Sequence, residues 1–410
     1  MDRRAFLVAS TAALLPFQAR ADICRDGAAN AADIRWLLGQ IAANYAYLPD
    51  RKVDLQKVRA LYEPQAAAVC DAHAFLNVLE RLLAEFHDHH MEPGVNNAHS
   101  PQLVPSGTDI WASMHAGRAR IEQVRPGSAA ARASVRNGDE IVSIGDASAA
   151  DAVAAHAPLC LSEPDPEAAN YTLRVLLAGT HDAPRDFTVR TKGGAIRAID
   201  LPPFQQQQAR APLTIRRLND ILCLRIENSL GDLNLIPAID AALDAPGDAR
   251  ALILDLRNTP SGGTTDIAEP ILGRFITGRP NYQRVFKPGP GKRFPQDSTL
   301  RWVRTRGRTI TLPIAILVDR WTGSMGEGMA IGFDGLKRAT VVGTRMAGLC
   351  GATQMFTLPA SGIGVRMPVE RLYHLDDTPR ESWLPPAFVD LGHEAGADPI
   401  LTRAVEILRS

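Results

Sequence analysis

Hydrophobic residues along the chain follow three rhythms in turn. From Ala31 to about Phe86 they recur at three- and four-residue spacing, as in "DIRWLLGQIAANYAYL" and "DAHAFLNVLERLLAEF". Phe75, Leu79, Leu82, Leu83 and Phe86 then share one helix face. Asp71 is a fitting N-cap for that helix, which is expected to end in "HDHHMEPG", where Pro93 and Gly94 stop it. From about Leu103 to Leu201 the rhythm shortens to strands and turns. From Pro212 to Ser410 strands and helices alternate. "ILCLRI", "ALILDLRN", "TLPIAILVD", "ATVVGT" and "MFTLPA" read as strands, and "LIPAIDAALDAP" and "TTDIAEPILGRFI" as helices. That alternation predicts α/β layers around a mostly parallel sheet. "PPFQQQQAR" and the stretch Gly94–Ser106 separate the three regions by composition.

Composition changes this picture little. A chain of 410 residues, 45% apolar and 22% charged, has material for two or three globular domains. Its 45 basic residues balance 45 acidic ones, so total charge gives no hint of nucleic acid or an anionic membrane as partner. The N-terminus adds more. "MDRRAFLVASTAALLPFQARA" places Arg3-Arg4 before a short apolar run and ends in Ala19-Arg20-Ala21. This order resembles a twin-arginine export signal over 1–21, too short to span a bilayer. It predicts a periplasmic or secreted chain beginning near Asp22, with no integral membrane span after signal removal. In an oxidising compartment a disulfide can form, and Cys24 with Cys70 is the expected pair among five cysteines. No C-x-x-C occurs, so no zinc framework is expected.

The candidate chemistry begins at "DRWTGSMGEGMA", Asp319–Ala330. Ser324 lies where an apolar strand gives way to a helix of small residues. Such a turn can present a hydroxyl while backbone N–H groups stay free. A hydrolase elbow has glycine two residues to either side; Gly326 fits and Thr322 does not. Taken alone, this is equally a Gly/Ser turn. His87, His89 and His90 cluster at a helix end, as a solvated group or a weak metal site. Asp255 and Arg257 read as a local pair, and Glu327 as a first-turn helix acid.

Two resemblances join these pieces. "ARIEQVRPGSAAARASVRNGDEIVSIGDASAADAV" resembles the core of a PDZ domain, with Gly127, Ser128, Ala129, Ala130, Gly138, Asp139, Ile141, Val142 and Ile144 on its pattern. PDZ domains take peptides by adding a strand to a sheet edge. "LILDLRNTPSGGTTD", "GSMGEGMA" and "VVGTRMAGLCGA" resemble the carboxyl-terminal processing, or tail-specific, serine proteases. That resemblance implies a helical cap at 22–102, a PDZ-like β-rich domain at 103–203 and an α/β peptidase core at 212–410. The core would be layered α/β of the ClpP/crotonase kind.

The same resemblance makes Ser324 the nucleophile. Many relatives pair it with a lysine in a "GKG" turn, but here Leu349 fills that slot, and Lys337 lies inside a helix. A tricorn-core-like branch uses Ser, His and a carboxylate instead, with an "L.D.H" marker. "LAEFHDHHMEP" matches it, with Asp88 as the acid and His90 as the base. "RESWLPPAFVD" makes Glu381 the matching carboxylate, with Glu370, Asp376 and Asp377 as rivals. The oxyanion donors implied are the backbone N–H groups of Met325 and Gly262, with Gly263 as a substitute. The implied activity is hydrolysis of peptide bonds in peptide or protein substrates, with no metal and no organic cofactor. Three rivals share these residues: a non-catalytic binding protein on the same fold, a metal-binding protein using the histidines, and an esterase.

Overall fold

The computed structural model describes residues 27–205, 211–392 and 398–410. The proposed signal segment and Cys24 lie outside the described residues. Three helices come first: α1 (Gly27–Asn44), α2 (Leu55–Ala67) and α3 (Ala72–Ala84). Asp54 and Asp71 cap α2 and α3, each carboxylate accepting from backbone N–H groups of the first turn. The face of α3 predicted from spacing is buried. A short strand, β1 (Glu92–Pro93), follows.

The middle region contains β2 (Ile110–His115), β3 (Arg118–Val124), α4 (Ala129–Arg132), β4 (Glu140–Ile144), β5 (Ala147–Ser148), α5 (Ala149–His156), α6 (Pro166–Ala178), β6 (Arg185–Arg190) and β7 (Ile196–Leu201). Its sheet runs β2-β3-β4-β6-β7, with β5 paired to β4. It has its own apolar core, including Ile121, Val135, Ile141, Leu173, Phe187 and Val189.

The final region contains β8 (Leu213–Leu218), β9 (Ile221–Ile226), α7 (Leu235–Asp244), β10 (Ala251–Asp255), α8 (Thr265–Leu272), β11 (Asn281–Phe286), β12 (Thr299–Trp302), β13 (Ile314–Val318), α9 (Met325–Gly335), β14 (Thr340–Gly343), β15 (Ala352–Thr357), β16 (Gly364–Tyr373), β17 (Ala387–Phe388) and α10 (Pro399–Arg409). One sheet runs β17-β14-β13-β10-β9-β8 and is parallel except at β8–β9. Its central strands β10 and β13 are buried along their full length, as continuous apolar runs require.

"MFTLPA" departs from the expectation of a mostly parallel sheet. It forms β15, antiparallel to β16 in a second sheet ordered β1-β16-β11-β12. β1 joins that sheet from the N-terminal region, with Glu92 opposite Arg366. Leu37, Phe75 and Leu79 from the helices, and Phe86 just after α3, share one apolar core with Val365 and Met367 of β16 and with Leu358 just after β15. The helical region is therefore built onto the last third of the chain rather than packed as a separate unit.

Candidate active site

β13 delivers its backbone into the turn Asp319–Gly323, and α9 begins at Met325. Thr322 is buried because it ties this turn to the neighbouring strand end. Its hydroxyl donates to the Leu256 carbonyl at 3.1 Å and accepts from Asp319 N–H at 3.0 Å. That is why threonine stands where a hydrolase elbow has glycine. Gly323 and Gly326 have no room for a side chain, since a Cβ would press on Pro260 O and Thr259 Oγ1 respectively. Between them Ser324 adopts φ 49°, ψ −109°. A non-glycine residue held there stores about 1–3 kcal/mol of strain, which the surrounding turn must hold in place.

Two buried charged groups hold the serine turn to the loop at 347–351. Glu327, fully buried, accepts from the backbone N–H groups of Ser324 at 2.8 Å, Gly348 at 2.8 Å and Leu349 at 3.2 Å. Burial raises its pKa to about 7, against the Arg380 guanidinium and these three donors. Arg380 works from the carbonyl side. It donates to Ser324 O at 3.2 Å, Leu349 O at 2.8 Å and Gly351 O at 2.9 Å. The Leu349 side chain packs in an apolar cluster with Val104, Trp111 and Ala347, its Cδ1 against Gly323. The lysine slot is thus filled by a packing residue.

A third carbonyl of that loop, at Cys350, meets the histidine. His90 Nδ1 lies 2.6 Å from Cys350 O. A carbonyl only accepts, so Nδ1 carries the proton and Nε2 carries the lone pair. Burial lowers the His90 pKa to about 4, so the ring is neutral at pH 7. Asp88 holds the histidine's backbone, accepting from His90 N–H at 2.9 Å and from the Tyr45 hydroxyl at 2.7 Å. Arg51 completes this support, 3.6 Å from Asp88 and 2.9 Å from the Cys350 sulfur. His90 and Ser324 therefore flank one loop, without a direct hydrogen bond between them among the described residues.

The other two histidines point elsewhere. His87 meets Glu85 O and Asp165, while His89 stacks on Tyr171 with ring centroids 4.5 Å apart. Among the described residues no group of three His, Cys, Asp or Glu side chains is placed to hold a metal ion. Glu381 is close in sequence to Arg380, but no hydrogen bond or ion pair joins it to His90 among the described residues. Its Oε2 is buried without a partner, and burial raises its pKa. Of its rivals, Asp376 pairs with His374 at 2.9 Å and Asp377 with Arg284 at 2.7 Å. Glu370 sits in β16 opposite Ala352. Lys337 is exposed beyond the far end of α9, paired with Asp334.

The backbone donors divide. Gly262 approaches the serine so closely that a Cβ would overlap Ser324 Cβ and stand 2.9 Å from its Oγ. Yet the Gly262 N–H donates to Thr259 O at 3.0 Å, so it is not available to an oxyanion. The N–H groups of Met325 and Gly263 have no acceptor among the described residues. Asp255 and Arg257 form the local pair expected, at 2.8 Å, which Asp398 extends at 2.7 Å.

The middle region supports the turn from outside. Gln123 donates to Asp319 at 3.0 Å, Glu122 pairs with Arg320, and Trp321 Nε1 donates to Thr108 O at 2.9 Å. One edge of this sheet, at β2, carries side-chain partners. Ala112 O on β2 accepts from Arg174 at 3.1 Å, and Met114 N–H donates to Asn170 at 2.8 Å. Both side chains come from α6, which packs along β2.

Sequence reasoning missed the Glu327–Arg380 pair as a site element and missed the Tyr45–Arg51–Asp88 support. Glu327 carries a readable signal, an acid three residues after a helix-capping serine. Arg380 carries none, because its contacts are all to backbone.

A strained serine at a strand-to-helix turn and a neutral histidine bound to the adjoining loop are groups that serine hydrolase chemistry can use. Residues 225–383 match the model described as "Peptidase family S41", so this part of the chain is by class a serine peptidase, a hydrolase. No match was found among curated proteins. The fold is similar to that of the photosystem II D1 C-terminal processing protease, with TM-score 0.59 and 16% identity over 93% of this chain and 97% of that one. It is also similar to mature CPAF, at 0.57 and 14% over 93% and 96%. A peptidase structure from Parabacteroides merdae gives 0.51 and 17% over 94% and 96%.

Proposed function

We propose that the protein is an exported serine endopeptidase in which Ser324 attacks the peptide carbonyl and His90 is its base. His90 Nε2 takes the serine proton and returns it to the leaving amine. The N–H groups of Met325 and Gly263 receive the oxyanion, each such donor being worth about 3 kcal/mol of barrier. The observation that carries this reading is the 2.6 Å contact of His90 Nδ1 with Cys350 O, on a loop that Glu327 and Arg380 hold against the serine. The loop carbonyl then does what a carboxylate does in other triads, fixing the tautomer and orientation of the ring. Glu381 lies outside the reacting group. The middle region, PDZ-like in sequence, serves as a buttress of the serine turn through Gln123 and Glu122.

Hydrolysis of a diverse peptide pool by the chain from Asp22 tests this, with products detected by mass. Ser324→Ala and His90→Ala should each lose at least about a thousandfold in kcat/KM. Glu381→Gln should stay within about tenfold of the parent, since its carboxylate does not touch the ring. Equal losses for Glu381→Gln and His90→Ala would restore the carboxylate triad. Binding of peptides with no cleavage by any form would favour the binding-protein reading.

A further inference from the structure

The balance of charge over the whole chain hides a local excess. Residues 279–308 contain nine basic residues and one acidic residue, Asp297. Arg279, Lys287, Lys292, Arg293, Arg304 and Arg308 are all exposed, and none has a carboxylate within ion-pair distance among the described residues. The segment includes the hairpin of β11 and β12. β12 ends its sheet, so one side of its backbone has no strand partner, and all four of its residues are exposed.

Charge alone reads as a solvated surface. The strand adds two further features. Leu300 and Trp302 alternate with Thr299 and Arg301, so two large apolar groups stand together on one face of an open edge, 43% and 38% exposed. Arg279 lies over the Trp302 ring at 3.2 Å and Arg304 at 5.6 Å, which fixes cations beside the apolar strip. An unpaired edge of this kind is a template for another strand, and here the flanking charge selects which strand. The edge also adjoins the site. Arg301 donates to Thr265 at 3.3 Å, two residues beyond Gly263, and β11 packs over α9.

We propose that the β12 edge docks an extended, acidic segment of the substrate polypeptide, adding as a strand with its carboxylates among Arg279, Lys292, Arg293 and Arg304. This rests on the peptidase reading above and names the class of protein it acts on: one with an acidic, β-prone stretch near the bond to be cut. A polyanion such as single-stranded DNA, or an anionic vesicle, would use the charge but not the free edge or the apolar alternation.

The test is binding to the full mature chain bearing Ser324→Ala, so that it does not depend on catalysis. The probe is a fluorescein-labelled peptide of alternating glutamate and valine, followed by anisotropy. Binding is expected for this peptide and not for its lysine counterpart, weakening as salt rises from about 50 to about 300 mM. Arg279→Glu with Arg304→Glu should weaken it at least about tenfold. N-methylation of alternate peptide nitrogens should do the same while leaving the protein untouched, which keeps the result clear if the variant folds poorly. Equal binding of the lysine or N-methylated peptide would overturn the proposal. So would equal competition by single-stranded DNA, or equal capture by phosphatidylglycerol vesicles. Failure of the parent to cut uncharged peptides would instead count against the catalytic reading, because this binding is measured without turnover.

Discussion

Adjacent glycines at the site have different tasks, and substitution separates them. Gly262→Ala puts a methyl against Ser324, with Oγ 2.9 Å away and Met325 N 3.2 Å away. It should cost at least about a hundredfold in kcat/KM, the loss typical of a disturbed oxyanion donor. A Cβ on Gly263 would instead overlap the Leu230 backbone, so Gly263→Ala should lower the melting temperature as well as the activity. Titration adds a second residue-scale test. With His90 neutral down to a pKa of about 4, the acid limb of kcat/KM should fall near pH 4 rather than at the ordinary imidazole value of 6.5. Glu327, pushed up to about 7, can add a shallower inflection there. Glu327→Gln should remove that inflection and leave the limb near 4.

At the scale of elements, the packed segments were legible and their partners were not. The face of α3, the parallel strands β10 and β13 and the serine at the start of α9 follow from periodicity and from glycine placement. β15 was misplaced because a short apolar run has the same pattern in either sheet. Gly262 is implied as an oxyanion donor by the resemblance of its glycine pair, while the bond its N–H makes to Thr259 is not visible in sequence. Arg174 and Asn170 look like ordinary helix-surface residues until β2 is placed beside them. Their role yields a prediction. Arg174→Ala exposes Ala112 O, so a peptide able to pair with β2 should bind this variant better than the parent, measured by calorimetry. Unchanged affinity would mean that the edge is closed by more than these two side chains. Gln123→Ala, which removes the bond to Asp319, should lower kcat more than it raises KM, because it loosens the serine turn and touches no substrate.

Over the whole molecule, opposed buried groups set how stability varies with pH. The His90 pKa is lowered, so the folded state binds fewer protons than the unfolded between about 4 and 6.5, and this contribution to stability is lost as pH falls through that window. Burial raises Glu92 and Glu327 to about 7, so the folded state keeps protons that the unfolded state has released, and stability falls as pH rises from 4.5 through 7. Below 6.5 the two effects offset one another. Between pH 6.5 and 7.5 the His90 contribution is spent and the carboxyl contribution remains, in the same direction as that of His374, whose pKa is raised, so the melting temperature should decline there, and less steeply in Glu92→Gln.

The shared core of the N-terminal helices and the last third of the chain has a consequence in time. His90 finds its acceptor 260 residues downstream, at Cys350. A chain leaving the ribosome N-terminus first carries His90, in the turn after α3, with no loop to orient it and no Ser324 yet made. If His90 is the base proposed above, cutting power arrives only with the final segments of synthesis, and a copy truncated before that loop should cleave no peptide.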